Sequence, residues 1–300
     1  ILLLPHYYLC AKELKWPAPM AVTVLVASLV MSTEWLVYHW QMIQCSEHIA
    51  FLYVLTWLFL RRGQDTRAGL CIGVAMTLKL YPGVMAIMLL VGRRWRAFST
   101  ASATYLAVAA TMTMKYGFVA WLQFLQQEKP ITESWLGSLQ NASLSGLVTQ
   151  TLAPFCGPDY CGTHVDVGKW RSTIVSVISI MLLTVAALLS RATLKRALDV
   201  DRSAIDLPFA LFSVLSIFLN PFAWEHYYTV LVHPLFIIVT LLFCTCRTVY
   251  QRWSDEKCST ETLLLTSSFG VACVASWGVV YLALSRDIWS PGRYIDLFWH

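Results

Sequence analysis

The sequence predicts an all-α polytopic integral membrane protein, a bundle of about ten transmembrane segments that includes two short hairpins. Three observations predict it. Hydrophobic residues make up 57% of the 300 and charged residues only 13%, about half the share that a soluble domain carries. Apolar runs long enough to span a bilayer core recur along almost the whole chain. Fifteen of the 22 Lys and Arg residues fall in five loops between those runs, at 12–16, 61–67, 93–96, 191–202 and 247–257. The +5 net charge is therefore spread over loops and builds no patch for nucleic acid, so that class of partner is excluded. Thirteen Trp and thirteen Tyr suit aromatic belts at the two membrane faces.

The first element, ILLLPHYYLC, has no Met, no basic start and no small-residue cleavage site. It reads as the inside of a transmembrane helix, not a signal peptide, so the front of the protein is expected upstream of Ile1. Spans follow near 18–34 and 48–60. The run 68–92 lies between RRGQDTR and GRRWR, and the positive-inside rule puts both of these on the cytoplasmic side. A single crossing would separate them. The run is therefore expected to go out and back as two short helices turning at KLYPG, where Pro82 removes a backbone donor and restricts the residue before it. A span at 99–114 leads into a long extracytoplasmic loop region, 115–170, and a span at 171–190 ends at RATLKR. The run 206–246 repeats the hairpin pattern, flanked by Arg202 and Arg247 and turning at NPFAWEHYY. A last span covers 262–284. The whole of 1–300 is expected to be a single transmembrane domain.

This topology gathers four polar stretches on the outer side: HWQMIQCSEH (39–48), KLYP (79–82), NASLSG (141–146) and NPFAWEHYY (220–228). A lysine in hydrocarbon costs at least ~2.5 kcal/mol, so Lys79 needs a reason to be there. Near the outer end of a half-helix it could meet a phosphate or carboxylate as a point charge. The alternative is a snorkelling side chain whose amine reaches the headgroups. In WEHYY, the neighbours Glu225 and His226 suit proton transfer, phosphate contact or binding of sugar hydroxyls, with Trp224, Tyr227 and Tyr228 beside them. The same stretch would also serve as an interfacial aromatic belt. Asn141 and Ser143 form an Asn-x-Ser sequon and equally a loop cap. GFVAWLQFLQQ (117–127) has apolar residues near helical spacing, for an interfacial helix or one more buried one. Cys156 and Cys161 flank a Gly-Pro turn and would pair as a disulfide if their loop faces an oxidising compartment. With only His164 nearby they are too few for a four-ligand metal set. No metal, no cofactor and no nucleotide-sugar site is expected, since a Gly-rich strand–helix motif is absent.

Three segments in this order and spacing, AGLCIGVAMTLKLYPGVMAIMLLVGRRWRA, NASLSGLVTQTLAP and LNPFAWEHYYTVLVHPLFIIV, resemble glycosyltransferase family 87. The resemblance covers residues 1–285 and implies a GT-C fold. It further implies an inverting enzyme that moves a hexose, mannose by the family's pattern, from a polyprenyl-phosphate donor to a glycan or glycolipid acceptor. On that resemblance Lys79 and His226 hold the donor phosphate. Gln44, Tyr81, Asn141, Ser143, Trp224, Glu225 and Tyr227 line the cavity, and Asn141 with Ser143 also orders the outer loop. The family's Gly-Gln pair has Ile43-Gln44 as its counterpart here. The catalytic Asp that such enzymes carry in the first outer loop has no counterpart and is expected upstream of Ile1. The implied setting is a multi-pass protein of the bacterial inner membrane, with its active site on the extracytoplasmic side and donor, acceptor and membrane lipid as partners. Two other classes compete. A lipid or small-solute transporter or flippase would also use broken helices around a charge, but no internal repeat relates the two halves. A non-catalytic membrane scaffold relative is the other.

Overall fold

The computed structural model describes residues 3–16, 18–31, 45–136, 141–152, 165–199, 201–221, 223 and 227–254. Gln44, Cys156, Cys161, Trp224, Glu225, His226 and the expected span at 262–284 lie outside the described residues. Regular structure among the described residues is helical throughout, as the composition predicts. The helices are α1 (Leu3–Glu13), α2 (Pro19–Met31), α3 (Ser46–Arg61), α4 (Asp65–Leu78), α5 (Gly83–Val91), α6 (Trp95–Tyr116), α7 (Phe118–Leu136), α8 (Leu144–Leu152), α9 (Val165–Asp199), α10 (Asp206–Phe218) and α11 (Tyr228–Ser254). The chain divides into two units, Ile1–Ile237 and Ile238–His300. Core and candidate site belong to the first. The described part of the second is the C-terminal stretch of α11.

Helices cover the expected segments 48–60, 99–114 and 171–190. Among the described residues, however, only α9 is long and apolar enough to cross a membrane, over Trp170–Asp199. At about 1.5 Å per residue these 30 residues reach about 45 Å, more than a bilayer core needs. Its Val177, Ile180, Met181, Leu188 and Leu189 are exposed, a surface suited to lipid. Pro19–Ser28 and Thr229–Leu242 are apolar but shorter. The region 115–170, expected as a loop, contains α7, α8 and the start of α9. Apolar residues at helical spacing in GFVAWLQFLQQ are the local cause of α7, and Phe118, Val119, Phe124 and Leu125 on it stay exposed.

Both hairpins return to the end they leave. The chain breaks between α4 and α5, and Arg94 just beyond α5 reaches Asp65 at the start of α4, Nη1 to Oδ1 2.7 Å. In the second hairpin, Asp206 opens α10 and its Oδ1 accepts from Trp57 Nε1 near the end of α3, at 2.8 Å. Along α11, His233 lies edge-on to Trp57 and Phe209, and Phe236 packs against Trp16 in the first basic loop. The same end holds Glu13 against Arg62 (3.1 Å) and Arg61 (3.7 Å), and Arg61 against Asp206 (3.7 Å). Arg202 Nη1 donates to the Arg62 carbonyl at 2.8 Å. Four of the five basic loops therefore meet at one end of the first unit.

Three helices stop at this end in the same way. Gly63 N–H donates to Leu60 O and Gln64 N–H to Phe59 O. Arg93 N–H and Arg94 N–H repeat this on Leu90 O and Leu89 O, and Lys15 N–H and Trp16 N–H on Lys12 O and Ala11 O. These paired bonds satisfy carbonyls that a helix end otherwise leaves open, and they need a left-handed residue at the first position past the cap. Lys15 (φ 56), Gly63 (φ 69) and Arg93 (φ 52) take it.

The core is aromatic. Tyr53, Trp57, Phe209 and Phe212 are fully buried between α3 and α10. Tyr53 donates to Ser216 Oγ at 3.0 Å, and Ser216 Oγ donates to Ser213 O at 2.7 Å, so these two buried hydroxyls are satisfied within the bundle. On the other side of the hairpin, α4 lies against α6 at backbone contact. Cβ atoms at Gly69 and Gly73 would run into the Ala97 carbonyl and into Thr104. The two glycines, one turn apart, are what lets the helices approach so closely.

Candidate functional site

The site begins where α4 stops. Lys79 is extended (φ −151, ψ 152), although its N–H still bonds to Ala75 O. Gly83 N–H then turns back to Leu80 O and Val84 N–H to Tyr81 O, which starts α5 behind Pro82. Proline supplies the break because it has no N–H to continue the ladder and suits the first turn of the next helix. Since α4 and α5 both have their other ends at the arginines, Lys79 and Tyr81 sit at the opposite end of the hairpin.

There the Lys79 ammonium lies over the face of the Tyr227 ring, 4.1 Å from its centroid. Tyr81 meets the same ring edge-to-face, with centroids 5.3 Å apart and planes at 73°. Tyr81 and Tyr227 are buried, Lys79 is half-buried, and the Tyr81 hydroxyl has no hydrogen-bond partner among the described residues. Cys45 at the start of α3 lies near Lys79, Tyr81 and Tyr227, and Glu128 on α7 lies near Tyr227.

Tyr227 is carried by the turn between α10 and α11, and that turn is pinned by Asn141. Its Nδ2 donates to Pro221 O at 3.0 Å and to Leu136 O at 3.4 Å. Its Oδ1 accepts from Ala223 N–H at 3.1 Å and from Ser143 N–H at 3.2 Å. Ser143 Oγ donates to Pro221 O at 2.8 Å and accepts from Gly146 N–H at 3.0 Å, capping α8. Ala142 N–H adds a bond to Ala223 O at 3.1 Å. Gly146 is required because a Cβ there would strike the Asn141 carbonyl. Of the two readings of Asn-x-Ser, the structure selects the cap: the Asn141 amide is buried and all four of its hydrogen-bonding positions are used.

Lys79, Tyr81 and Tyr227 lie in contact, and Asn141 and Ser143 hold the turn that carries Tyr227. Gln44, Trp224, Glu225 and His226 lie outside the described residues, as do Cys156 and Cys161. Two neighbours escaped the sequence reading. Cys45 stands inside the polar stretch 39–48 but has the apolar look of a packing residue, and Glu128 follows directly on the LQQ that ends the 117–127 pattern. No group of three or more His, Cys, Asp or Glu suited to a metal occurs among the described residues.

The class defined by this geometry is a protein helical throughout its described residues, with a cationic, aromatic-walled site at the break of a hairpin and Arg61, Arg62, Arg94 and Arg202 gathered at the other end. Residues 2–215 match glycosyltransferase family 87, well over half of the chain, and the chain belongs to that family. Its activity class is therefore transfer of a sugar from a donor to an acceptor. The match includes α4, Lys79, α5 and the Asn141–Ser143 turn and ends ahead of NPFAWEHYY. No curated protein and no solved structure matches the chain.

Proposed function

We propose that the protein is a multi-pass membrane glycosyltransferase of the GT-C type that moves a hexose, mannose by family resemblance, from a polyprenyl-phosphate donor to a glycan or glycolipid acceptor. The site faces the extracytoplasmic side of the bacterial inner membrane. The observation that carries this reading is Lys79: a half-buried ammonium at a helix break, walled by two tyrosines, at the end of the hairpin away from the arginines. Arginines mark the cytoplasmic face by the positive-inside rule, so the opposite end is the outer one. A lipid-linked donor suits the setting because exposed apolar helix faces, such as Phe118, Phe124 and Leu125 on α7, offer its tail an apolar path.

In the reaction, the acceptor hydroxyl oxygen attacks the anomeric carbon from the side opposite the phosphate. The bond from that carbon to the phosphate oxygen breaks, the phosphate leaves with the electron pair, and the hydroxyl proton passes to a carboxylate base. Configuration inverts. Lys79, with His226 as a second donor, meets the charge that grows on the leaving phosphate; one preorganised donor of this kind is worth about 100- to 1,000-fold in rate. Gln44, Trp224 and Glu225 line the cavity with Tyr81 and Tyr227. The test is Lys79→Ala in membranes supplied with labelled polyprenyl-phosphate-mannose. Turnover is expected to fall by about that factor, with Lys79→Arg retaining part of it. Wild-type turnover in Lys79→Ala would sink the proposal.

A further inference from the structure

We infer that Tyr227 is the positioning residue for Lys79: its ring, braced by Tyr81, holds the ammonium by a cation–π contact where the donor phosphate arrives. The inference rests on the reading of Lys79 as the ligand of that phosphate. A lysine ammonium rides on a long flexible stem and is a poor fixed charge unless something holds it. Here the nitrogen is 4.1 Å from the ring centroid, inside the range over which a ring face attracts a cation, and the ring is buried, where that attraction is strongest. Tyr227 is itself held. Tyr81 packs against it edge-to-face at 5.3 Å, and the turn that carries it is bonded through Pro221 and Ala223 to Asn141 and Ser143.

A ring suits this task chemically. It attracts the ammonium through its quadrupole and, unlike a carboxylate, does not itself accept the ammonium's N–H protons. A carboxylate in the same place would compete with the phosphate for those protons. The path of control therefore runs from the Asn141 amide to the 221–223 backbone, to the Tyr227 ring, to the Lys79 ammonium. The Tyr227 hydroxyl, hydrogen-bonded to the Asn220 side chain, helps to hold the ring in place.

The experiment uses the full-length protein in membranes and reads KM for polyprenyl-phosphate-mannose separately from kcat. Tyr227→Phe and Tyr227→Trp keep a ring face and are expected to raise the donor KM much less than a variant without a ring. Tyr227→Leu is expected to raise the donor KM by about 3- to 30-fold with a much smaller change in kcat. Placed on Lys79→Met, Tyr227→Leu is expected to add nothing, because the group it positions is already gone. Tyr227→Met, which keeps bulk without a ring, repeats the measurement should the leucine variant fold poorly. Equal losses in Phe and Leu, full additivity with Lys79→Met, or a wild-type KM in both Leu and Met would each overturn the inference. If Lys79→Met itself keeps wild-type turnover, the reading of Lys79 fails, whatever the Tyr227 variants do.

Discussion

Asn141 shows how much a single side chain can organise. Four hydrogen bonds leave one carboxamide and tie two segments separated by 80 positions in the chain. Replacing it with Ala leaves the Ala223 and Ser143 N–H groups buried without their acceptor, and each such orphan costs about 1–3 kcal/mol. Asn141→Ala is therefore expected to lose at least about 2 kcal/mol, seen as a lower unfolding midpoint of the purified protein in detergent. Asn141→Asp should also lose stability, since it keeps both acceptor positions but turns a carboxylate toward the Pro221 and Leu136 carbonyls. An unchanged midpoint for both variants would show that the clamp contributes nothing. Lys79 makes the complementary point. Its sequence setting announces a costly charge that needs a partner, but only the folded chain shows an aromatic face beside it.

At the scale of elements, length and break points matter more than propensity. Helices α4 and α5 are each too short for a bilayer, and they are stable because one flank is welded to α6 and the end of α5 is closed by paired backbone bonds. Glycine sets the approach of α4 to α6, so bulk there should be punished selectively. Gly73→Leu forces a side chain into Thr104 and the Ala101 carbonyl and is expected to cost at least about 2 kcal/mol, with poor recovery of folded protein from membranes. Gly83→Ala is the control, because among the described residues a Cβ there would meet nothing nearer than the far end of Met76 at 3.8 Å. Similar yields of Gly73→Leu and Gly83→Ala, judged by size-exclusion profile and unfolding midpoint, would refute close packing at Gly73. At the N-terminal end of α4, Asp65 faces Arg94, so closing the hairpin also pairs a guanidinium that is 4% exposed with a carboxylate.

At the scale of the molecule, the two ends of the first unit differ in kind: one collects Arg61, Arg62, Arg94 and Arg202, the other Lys79 with its tyrosines. If the arginines face the cytoplasm, single cysteines placed at the two ends of α4 in a cysteine-free background should label from opposite sides. A membrane-impermeant maleimide added to intact cells is expected to modify Leu80→Cys, whose parent is 69% exposed, while Gln64→Cys reacts only after permeabilisation. Labelling of both from outside would refute the proposed orientation.

Much of this was open to reading in the sequence because it is written in local pattern. Apolar composition made the chain helical, and basic residues on both sides of 68–92 forced that run to fold back, which the Asp65–Arg94 pair bears out. Proline and glycine at 82–83 told where it would turn. Charge bias also leads to the expectation that HWQMIQCSEH, KLYP, NASLSG and NPFAWEHYY share one side of a membrane. What pattern could not supply was partnership. Whether Asn141 was a cap or a glycan acceptor, which carbonyl Ser143 would meet, that α7 and α8 would form inside 115–170, and that Cys45 and Glu128 would stand near Tyr227 all depend on contacts between residues far apart in the chain. Periodicity and charge act over a few residues and so determine elements and their sides. Hydrogen bonds and ring contacts act over a few ångströms, and only packing decides which distant groups come that close.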